Sequence, residues 1–480
     1  TSMRIQFRYI SITLLLCTSI NIQASYDYFS VNRQLVRNGM QAVLMCNGLY
    51  TSHRQLGGIF EQELAYLAGE RFGGIVGDVD GGDYKINSNL RSVAVGGGDS
   101  GPIVSAVFRA GIGCVVMAPD QSENEIDSLP KLELSVPDHD PDSIAWPVGD
   151  LISDVVIPDS INIEALQAAS DWAFKRPNLQ EVTTSLVVVY QGQIIHERYA
   201  DGFDRHTRTR TWSTAKSIAS TLIGILVDRG KLQLDEPLDI DWLPVLKHPE
   251  ADPRNAITLR HTLHMSSGLY PVDDTDRKYT AGSSLAYWAG ASSIDGMRDR
   301  GLVRQPGTYW DYENFDTLLA VYAMKKALGG GENYRTFPQR ALLEKIGMRS
   351  TLVGVDRFGD FILSSQVYTN TRDLARFGLL YAQDGMWQGE RIISQEWISF
   401  VRTPAPTALS HGGFYGGHWW LVPEGREDVP ASAYATAGTR GQFVIVVPTL
   451  DLVIVRRGLD YSPEGFDYWD LLREVAKAVH

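Results

Sequence analysis

A chain of 480 residues that is 44% hydrophobic and 21% charged has material for a large core and two domains. Its net charge of -13 disfavours nucleic acid or an anionic membrane surface as a partner and reads as solvated acidic faces.

At the N-terminus, Thr1-Ser2 ahead of Met3 reads as a cloning remnant. Arg4 and Arg8 then precede an apolar run from Ile10 to Ile20, and Ile22-Gln-Ala24 offers a cleavage site. This pattern predicts a signal peptide over residues 1–24 and a periplasmic or secreted protein. The run is short for a bilayer span, and no later stretch is apolar and long enough, so stable membrane insertion is not expected. Leu16-Cys17 makes a poor lipobox. Loss of the signal leaves Cys46 and Cys114, which an oxidising compartment would join in a disulfide, against the alternative of two buried free thiols. No Cys-His cluster has metal-ligand spacing, so neither metal nor cofactor is expected. His206, His248, His261, His264, His411 and His418 are scattered and need no special role.

Residues 25–150 read as a small α+β module of unknown role. Leu56, Ile59, Phe60, Leu64 and Leu67 recur at helical spacing, which predicts a helix over Ser52 to Ala68. Strand-like runs follow, divided by the turn signals Asp80-Gly-Gly-Asp83 and Gly96-Gly-Gly-Asp99. Ser135-Val-Pro-Asp-His-Asp-Pro-Asp-Ser143 reads as a linker to a second unit over residues 151–480.

That unit opens on Ser185 to Arg198, a β-hairpin turning at Gln191-Gly192. Ser213-Thr-Ala-Lys216 comes next, ahead of Ile218, Leu222, Ile225 and Leu226, so it opens a buried helix. Three residues apart on a helix, the hydroxyl of Ser213 and the amine of Lys216 share a face. A desolvated lysine can take the serine proton, and the helix N-terminus favours negative charge developing there. The pattern is weak by itself and occurs again at Ser128-Leu-Pro-Lys131, where Pro130 opposes a helix. Tyr312-Glu-Asn314 sits where a loop runs into a helix carrying Leu318, Leu319 and Tyr322. Beside a lysine ammonium, the phenol of Tyr312 would lose its proton more easily. Tyr368-Thr-Asn370 repeats those letters, but there Asn370 reads as a helix cap. Thr436-Ala-Gly438 precedes Thr439-Arg-Gly441 and the strand Phe443 to Val447, paired with Leu452 to Arg456. Glycines beside a strand let a substrate approach the backbone, and the N–H groups of Ser213 and Thr439 could form an oxyanion hole. Trp469 to Val479 reads as an amphipathic helix.

In the order Ser-x-x-Lys, Tyr-x-Asn, x-x-Gly, the chain resembles the serine β-lactamase and DD-peptidase superfamily, in its class C-like branch. That branch includes carboxylesterases and 6-aminohexanoate-dimer hydrolases. Leu259 to Leu269, Asp373 to Tyr381 and Tyr415 to Leu421 look like further family segments. The resemblance runs from about Ser153 to the C-terminus. It implies an α+β fold in which an antiparallel sheet is flanked by helices and joined to a helical subdomain, with Ser213 at the seam. It also implies a hydrolase that passes through an acyl-enzyme on Ser213. Lys216 and Tyr312 would relay protons, Asn314 would position Lys216 or the substrate carbonyl, and Thr436, Gly438 and Thr439 would line the oxyanion side.

Two departures bear on substrate. The third motif usually begins with Lys or His, which helps hold a substrate carboxylate. Thr436 carries no charge, although Arg440 stands near enough in sequence to replace it partly. No Glu-x-x-Leu-Asn element is present. Both favour a small ester or amide over a penicillin. The loop Tyr270 to Tyr279 offers Asp273, Asp274 and Asp276 beside Tyr270 and Tyr279, a setting for a cationic or amine-bearing group, or else a solvated acidic loop. A β-lactamase, a D-alanyl-D-alanine carboxypeptidase and a non-catalytic penicillin-binding-like protein stand as alternatives. The physiological substrate and the oligomeric state are not legible.

Overall fold

The computed structural model describes residues 28–67, 82–135, 140–152, 157–272, 279–409, 414–462 and 464–480. The expected signal peptide, most of the acidic loop after Tyr270, His411 and part of the expected linker lie outside them.

A six-stranded antiparallel sheet organises the C-terminal part. Its strands run, edge to edge, Trp420–Leu421, Tyr434–Gly438, Gln442–Val447, Leu452–Gly458, Thr183–Tyr190 and Gln193–Tyr199. Both hairpins read from the sequence are present, the first turning through Gln191 and Gly192, both at positive φ. The strands are apolar at successive positions because both faces are covered. Leu186, Val188, Ile445 and Ile454 meet Leu166 and Ala169 of helix Ile163–Phe174 and Leu472 and Val475 of helix Tyr468–Ala476. Val187, Val189, Val444 and Val453 belong to the core on the opposite face, together with Leu374 and Phe377 of helix Thr371–Ala382. Asn370 caps that last helix, its side chain accepting from Asp373 N–H at 2.8 Å, as its position implied.

The N-terminal segment departs from the sequence reading. Its main element is the 21-residue helix Ser30–Tyr50, which the sequence reading did not identify. Asn38-Gly39 and Asn47-Gly48 carry turn-forming letters inside it. Their side chains bond to other parts of the chain instead. Asn38 donates to the carbonyls of Ser100 and Pro102 at 2.8 and 2.9 Å, and Cys114 N–H donates to Asn47 at 3.2 Å. The helix expected over Ser52 to Ala68 is broken into Leu56–Gly58, a π-turn Ile59–Glu63 and a 3-10 turn Leu64–Leu67.

Four antiparallel strands in chain order, Tyr84–Asn87, Ser92–Val95, Val104–Arg109 and Gly113–Met117, pack against the long helix. Cys46 and Cys114 are disulfide-bonded, tying the helix to the last of these strands. The helix also packs on helix Ser283–Trp288, where a Cβ on Gly39 would collide with the carbonyl of Trp288. Val43 and Val115 belong to the same contiguous core as Ile218 and Val455.

The disulfide closes a loop with a sequence separation of 68. Replacing Cys46 and Cys114 by Ala should therefore cost about 2–4 kcal/mol. Denaturant unfolding of the full chain checks this, and an unchanged midpoint would show that the bridge contributes nothing.

Candidate active site

Ser213 lies in a 3-10 turn, Trp212–Thr214, that leads into the buried helix Ala215–Asp228. Trp212, just before it, has φ 50°, a left-handed conformation uncommon for a bulky side chain. Strand Tyr434–Gly438 presses on this turn. A Cβ on Gly438 would collide with the Thr211 carbonyl and lie 3.1 Å from Thr214 N, so only glycine lets the strand come this close.

Lys216 is buried, and three groups converge on its Nζ. Ser213 Oγ lies 3.1 Å away, Asn314 Oδ1 2.7 Å and the Ser364 carbonyl 2.9 Å. Asn314 starts helix Asn314–Ala327 and donates through Nδ2 to Ser283 Oγ at 3.0 Å. Asn314 thus contacts Lys216 and also lines the cavity beside Ser213. The loop before it is fixed by a buried ion pair, Arg300 to Glu313 at 3.2 Å. Tyr312 is wedged among Trp310, Tyr415 and Trp420, with ring centroids 6.1, 5.9 and 5.6 Å away. Its ring face lies toward Lys216 Nζ, 5.0 Å from the centroid.

The electrostatics of Tyr312 differ from the sequence expectation. Burial pushes its phenol up to about 12, and a hydrogen bond with Ser213 offsets this only in part. The desolvation of a phenolate outweighs that bond, so Tyr312 keeps its proton at neutral pH. His418 is buried, pushed well below its usual pKa, and bonded to Thr317 Oγ1 at 2.9 Å. Asp316 is the opposite case: burial raises it to about 7 although it accepts from Ser267 N–H and Oγ at 3.1 and 2.6 Å.

A cavity of about 170 Å³ opens beside Ser213, lined also by Tyr312, Asn314 and Thr439. Four residues singled out from the sequence stand elsewhere, Gly438 among them, packed against the Thr211 carbonyl. Thr436 is fully buried and bonds Thr214 Oγ1 at 3.1 Å and Val444 N–H at 3.2 Å, so it stitches the strand to the turn and does not line the cavity. Arg440 cannot stand in for a carboxylate anchor. Its guanidinium is buried and donates to Gln62 O, Glu63 O, Leu459 O and Asp460 O. Tyr270 is 48% exposed and absent from the lining, whereas Tyr279 from the same loop is in it.

The lining includes residues the sequence reading missed, among them Met40, Tyr66, Ser283, Tyr287, Trp288 and Ser365. Nothing in their local pattern marks them, because folding alone brings them together. Among the described residues, no group of three or more His, Cys, Asp or Glu side chains is placed to hold a metal ion.

A family model described as Beta-lactamase matches residues 172–457. The chain belongs to the beta-lactamase family. It is accordingly a serine hydrolase, a class acting on ester or amide bonds. A 6-aminohexanoate-dimer hydrolase from Paenarthrobacter ureafaciens is 24% identical over 296 residues, spanning 58% of this chain and 73% of its own. Among solved structures, EstCE1, a hydrolase with promiscuous acyltransferase activity, shares 14% identity with a TM-score of 0.52. The match covers 66% of this chain and 97% of EstCE1. A family VIII carboxylesterase shares 15% identity with a TM-score of 0.50, covering 68% of this chain and 98% of its own. These likenesses establish the β-lactamase/transpeptidase-like fold, an antiparallel sheet flanked by helices with a helical subdomain, as the motifs implied.

The raised pKa of Asp316 has a consequence for stability. A carboxyl group with an unfolded value near 3.9 and a folded value near 7 binds more protons when folded, so its contribution falls as pH rises from about 4 to about 7. Asp316→Asn, which keeps an acceptor but cannot ionise, should gain stability relative to the wild type across that window. Unfolding midpoints at pH 5 and pH 8 test this, and a constant difference between the two proteins would refute it.

Proposed function

We propose that the protein is an exported hydrolase that cleaves carboxylic esters, and amides of similar size, through an acyl-enzyme on Ser213. The observation that carries this reading is the set of bonds at Lys216 Nζ. Asn314 Oδ1 and the Ser364 carbonyl can only accept, so they take two N–H groups of the amine. Ser213 Oγ can accept or donate, so its bond is the one along which a proton moves. In the reacting form, neutral Lys216 takes the Ser213 proton as Oγ attacks the carbonyl carbon. The carbonyl oxygen becomes an oxyanion toward the N–H groups of Ser213 and Thr439, at the start of the helix where negative charge is favoured. Tyr312, protonated at neutral pH, gives its proton to the leaving oxygen or nitrogen, and the Lys216 ammonium restores it. Water then attacks the acyl-enzyme by the same path and releases the acid.

Two positions favour a simple ester over a penicillin. Thr436 is buried beneath the turn, and Arg440 is consumed by backbone carbonyls, so neither offers a charge to a substrate carboxylate. The apolar run after Arg8 supports export, as does the disulfide.

A fluorophosphonate probe should label Ser213, mapped by peptide mass spectrometry, and Ser213→Ala should lose esterase activity. Labelling at another serine, or full activity in the variant, would sink this mechanism. Lys216→Ala and Tyr312→Phe should each slow turnover by at least about a hundredfold. The double variant should be far less than multiplicatively worse, because the groups act as a unit. Specificity constants for p-nitrophenyl butyrate should exceed those for nitrocefin; the reverse order would make the protein a β-lactamase.

A further inference from the structure

Helix Ser30–Tyr50 and the turns that follow lie outside residues 172–457, the part matched by the family model. Two of their side chains, Met40 and Tyr66, nevertheless line the cavity beside Ser213. Their placement is held at several points. The contact of Gly39 with the Trp288 carbonyl leaves no room for a Cβ, so the helix is pressed against the cavity wall at the residue before Met40. The disulfide at Cys46 anchors the same helix further on. Three residues before Tyr66, Glu63 pairs with Arg440 at 3.3 Å, and Gln62 O accepts from the same guanidinium at 2.6 Å. Arg440 is in turn the residue after Thr439. The Tyr66 ring stands edge-on to Trp212, centroids 5.6 Å apart, and its hydroxyl is 3.1 Å from that of Tyr279.

We propose that Met40 and Tyr66 are specificity-determining residues: they close the acyl pocket of Ser213 and limit it to short, uncharged acyl groups. This rests on the acyl-enzyme reading above and names the substrate class for that site. Size follows from volume. The cavity measures about 170 Å³, and an apolar cavity of roughly 150 Å³ holds a benzene-sized guest. That leaves room for about six heavy atoms, below the roughly 300 Å³ at which drug-sized pockets begin.

Charge follows from what stands behind the walls. The Arg210 guanidinium lies over Trp212 and Trp288, 4.1 and 4.2 Å from their ring centroids. It is buried, its hydrogen bonds go to Ser365, and no described carboxylate lies within ion-pair distance of it. The two indole rings already serve one cation. An ammonium brought into the cavity would add a like charge in a poorly screened place. A neutral acyl chain meets the rings of Tyr66, Trp212, Tyr287 and Trp288 and the Met40 thioether, beside the uncharged hydroxyls of Ser283, Ser284 and Ser365, and brings no like charge to the site.

The test uses the full chain and p-nitrophenyl esters of acetate, butyrate, hexanoate, octanoate and 6-aminohexanoate. In the wild type, kcat/KM should fall at least about tenfold from butyrate to octanoate, the scale at which a pocket rejects extra methylenes. It should also be lower for 6-aminohexanoate than for hexanoate. Met40→Ala and Tyr66→Ala should each raise the octanoate-to-butyrate ratio about tenfold, while Met40→Leu keeps the wild-type profile. Met40 is fully buried, so circular dichroism and thermal melting establish which variants are folded, and the less buried Tyr66 carries the test if Met40→Ala is not. Folded alanine variants with an unchanged ratio would overturn the assignment, as would a wild type that cleaves octanoate as well as butyrate. A preference for the amine-bearing ester would overturn the claim about charge. If the wild type cleaves none of the esters and Ser213 takes no probe, the acyl-enzyme reading itself fails, and the pocket assignment falls with it.

Discussion

Everything at this site depends on keeping one amine out of water without leaving it unsatisfied. Lys216 is buried, and burying an amine without partners costs several kcal/mol. The fold offsets that cost with acceptors from three separate parts of the chain. Ser213 comes from the turn ahead of the helix, Asn314 from the start of a second helix, and the Ser364 carbonyl from the stretch leading into strand Val367–Thr369. None of the three can shift by much more than an ångström without breaking its bond. The seam between sheet and helical part is therefore held at the point where the proposed proton transfer would take place. Tyr312, held in its ring cluster and kept protonated by burial, complements this arrangement with an acid in place of a second base.

The elements that the sequence showed most clearly are those whose signal is local. Ser213 and Lys216 share a helical face by spacing alone, and the strands around Gln191-Gly192 and Pro448 to Asp451 are marked by their turns. Gly438 was legible as a close approach, though of the Thr211 carbonyl and not of a substrate. The roles that went astray depend on the third dimension. Thr436 and Arg440 look like binding residues in the letter order, but the fold turns both inward, one onto Thr214 and the other onto carbonyls of the N-terminal segment. Helix Ser30–Tyr50 carries two Asn-Gly pairs, letters that oppose a helix locally, while their amides serve bonds to residues 60 or more positions away. The resting protonation of Tyr312 was not legible because a sequence shows a neighbouring charge more readily than it shows desolvation.

Arg440 shows how the N-terminal segment is coupled to the catalytic part. A guanidinium so deeply buried would be destabilising without partners, and breaking a buried charged pair typically costs about 3–5 kcal/mol. Its pairing with Glu63 and its bonds to the carbonyls of Gln62 and Glu63 make the loop after Gly438 depend on the turns that also present Tyr66. Glu63 bonds Arg54 at 2.8 Å as well, so one carboxylate sits between two cations. The loop carrying Thr439 is thus tied through Arg440 to residues 62–63 on one side and to the carbonyls of Leu459 and Asp460 on the other.

That coupling also bears on charge around the cavity. The chain is acidic overall, with a net charge of -13, yet Arg210 and Arg440 are buried behind the site, with Glu63 the carboxylate in contact with one of them. Buried charges interact through a lower effective dielectric than surface charges and are screened far less by salt. The distant acidic surface therefore weighs little inside the cavity, where the nearby cations dominate. A developing oxyanion is stabilised by such a field, and a positively charged acyl group is opposed by it. In the acylation proposed at Ser213, the field that assists the reaction is thus also a filter on what can be acylated.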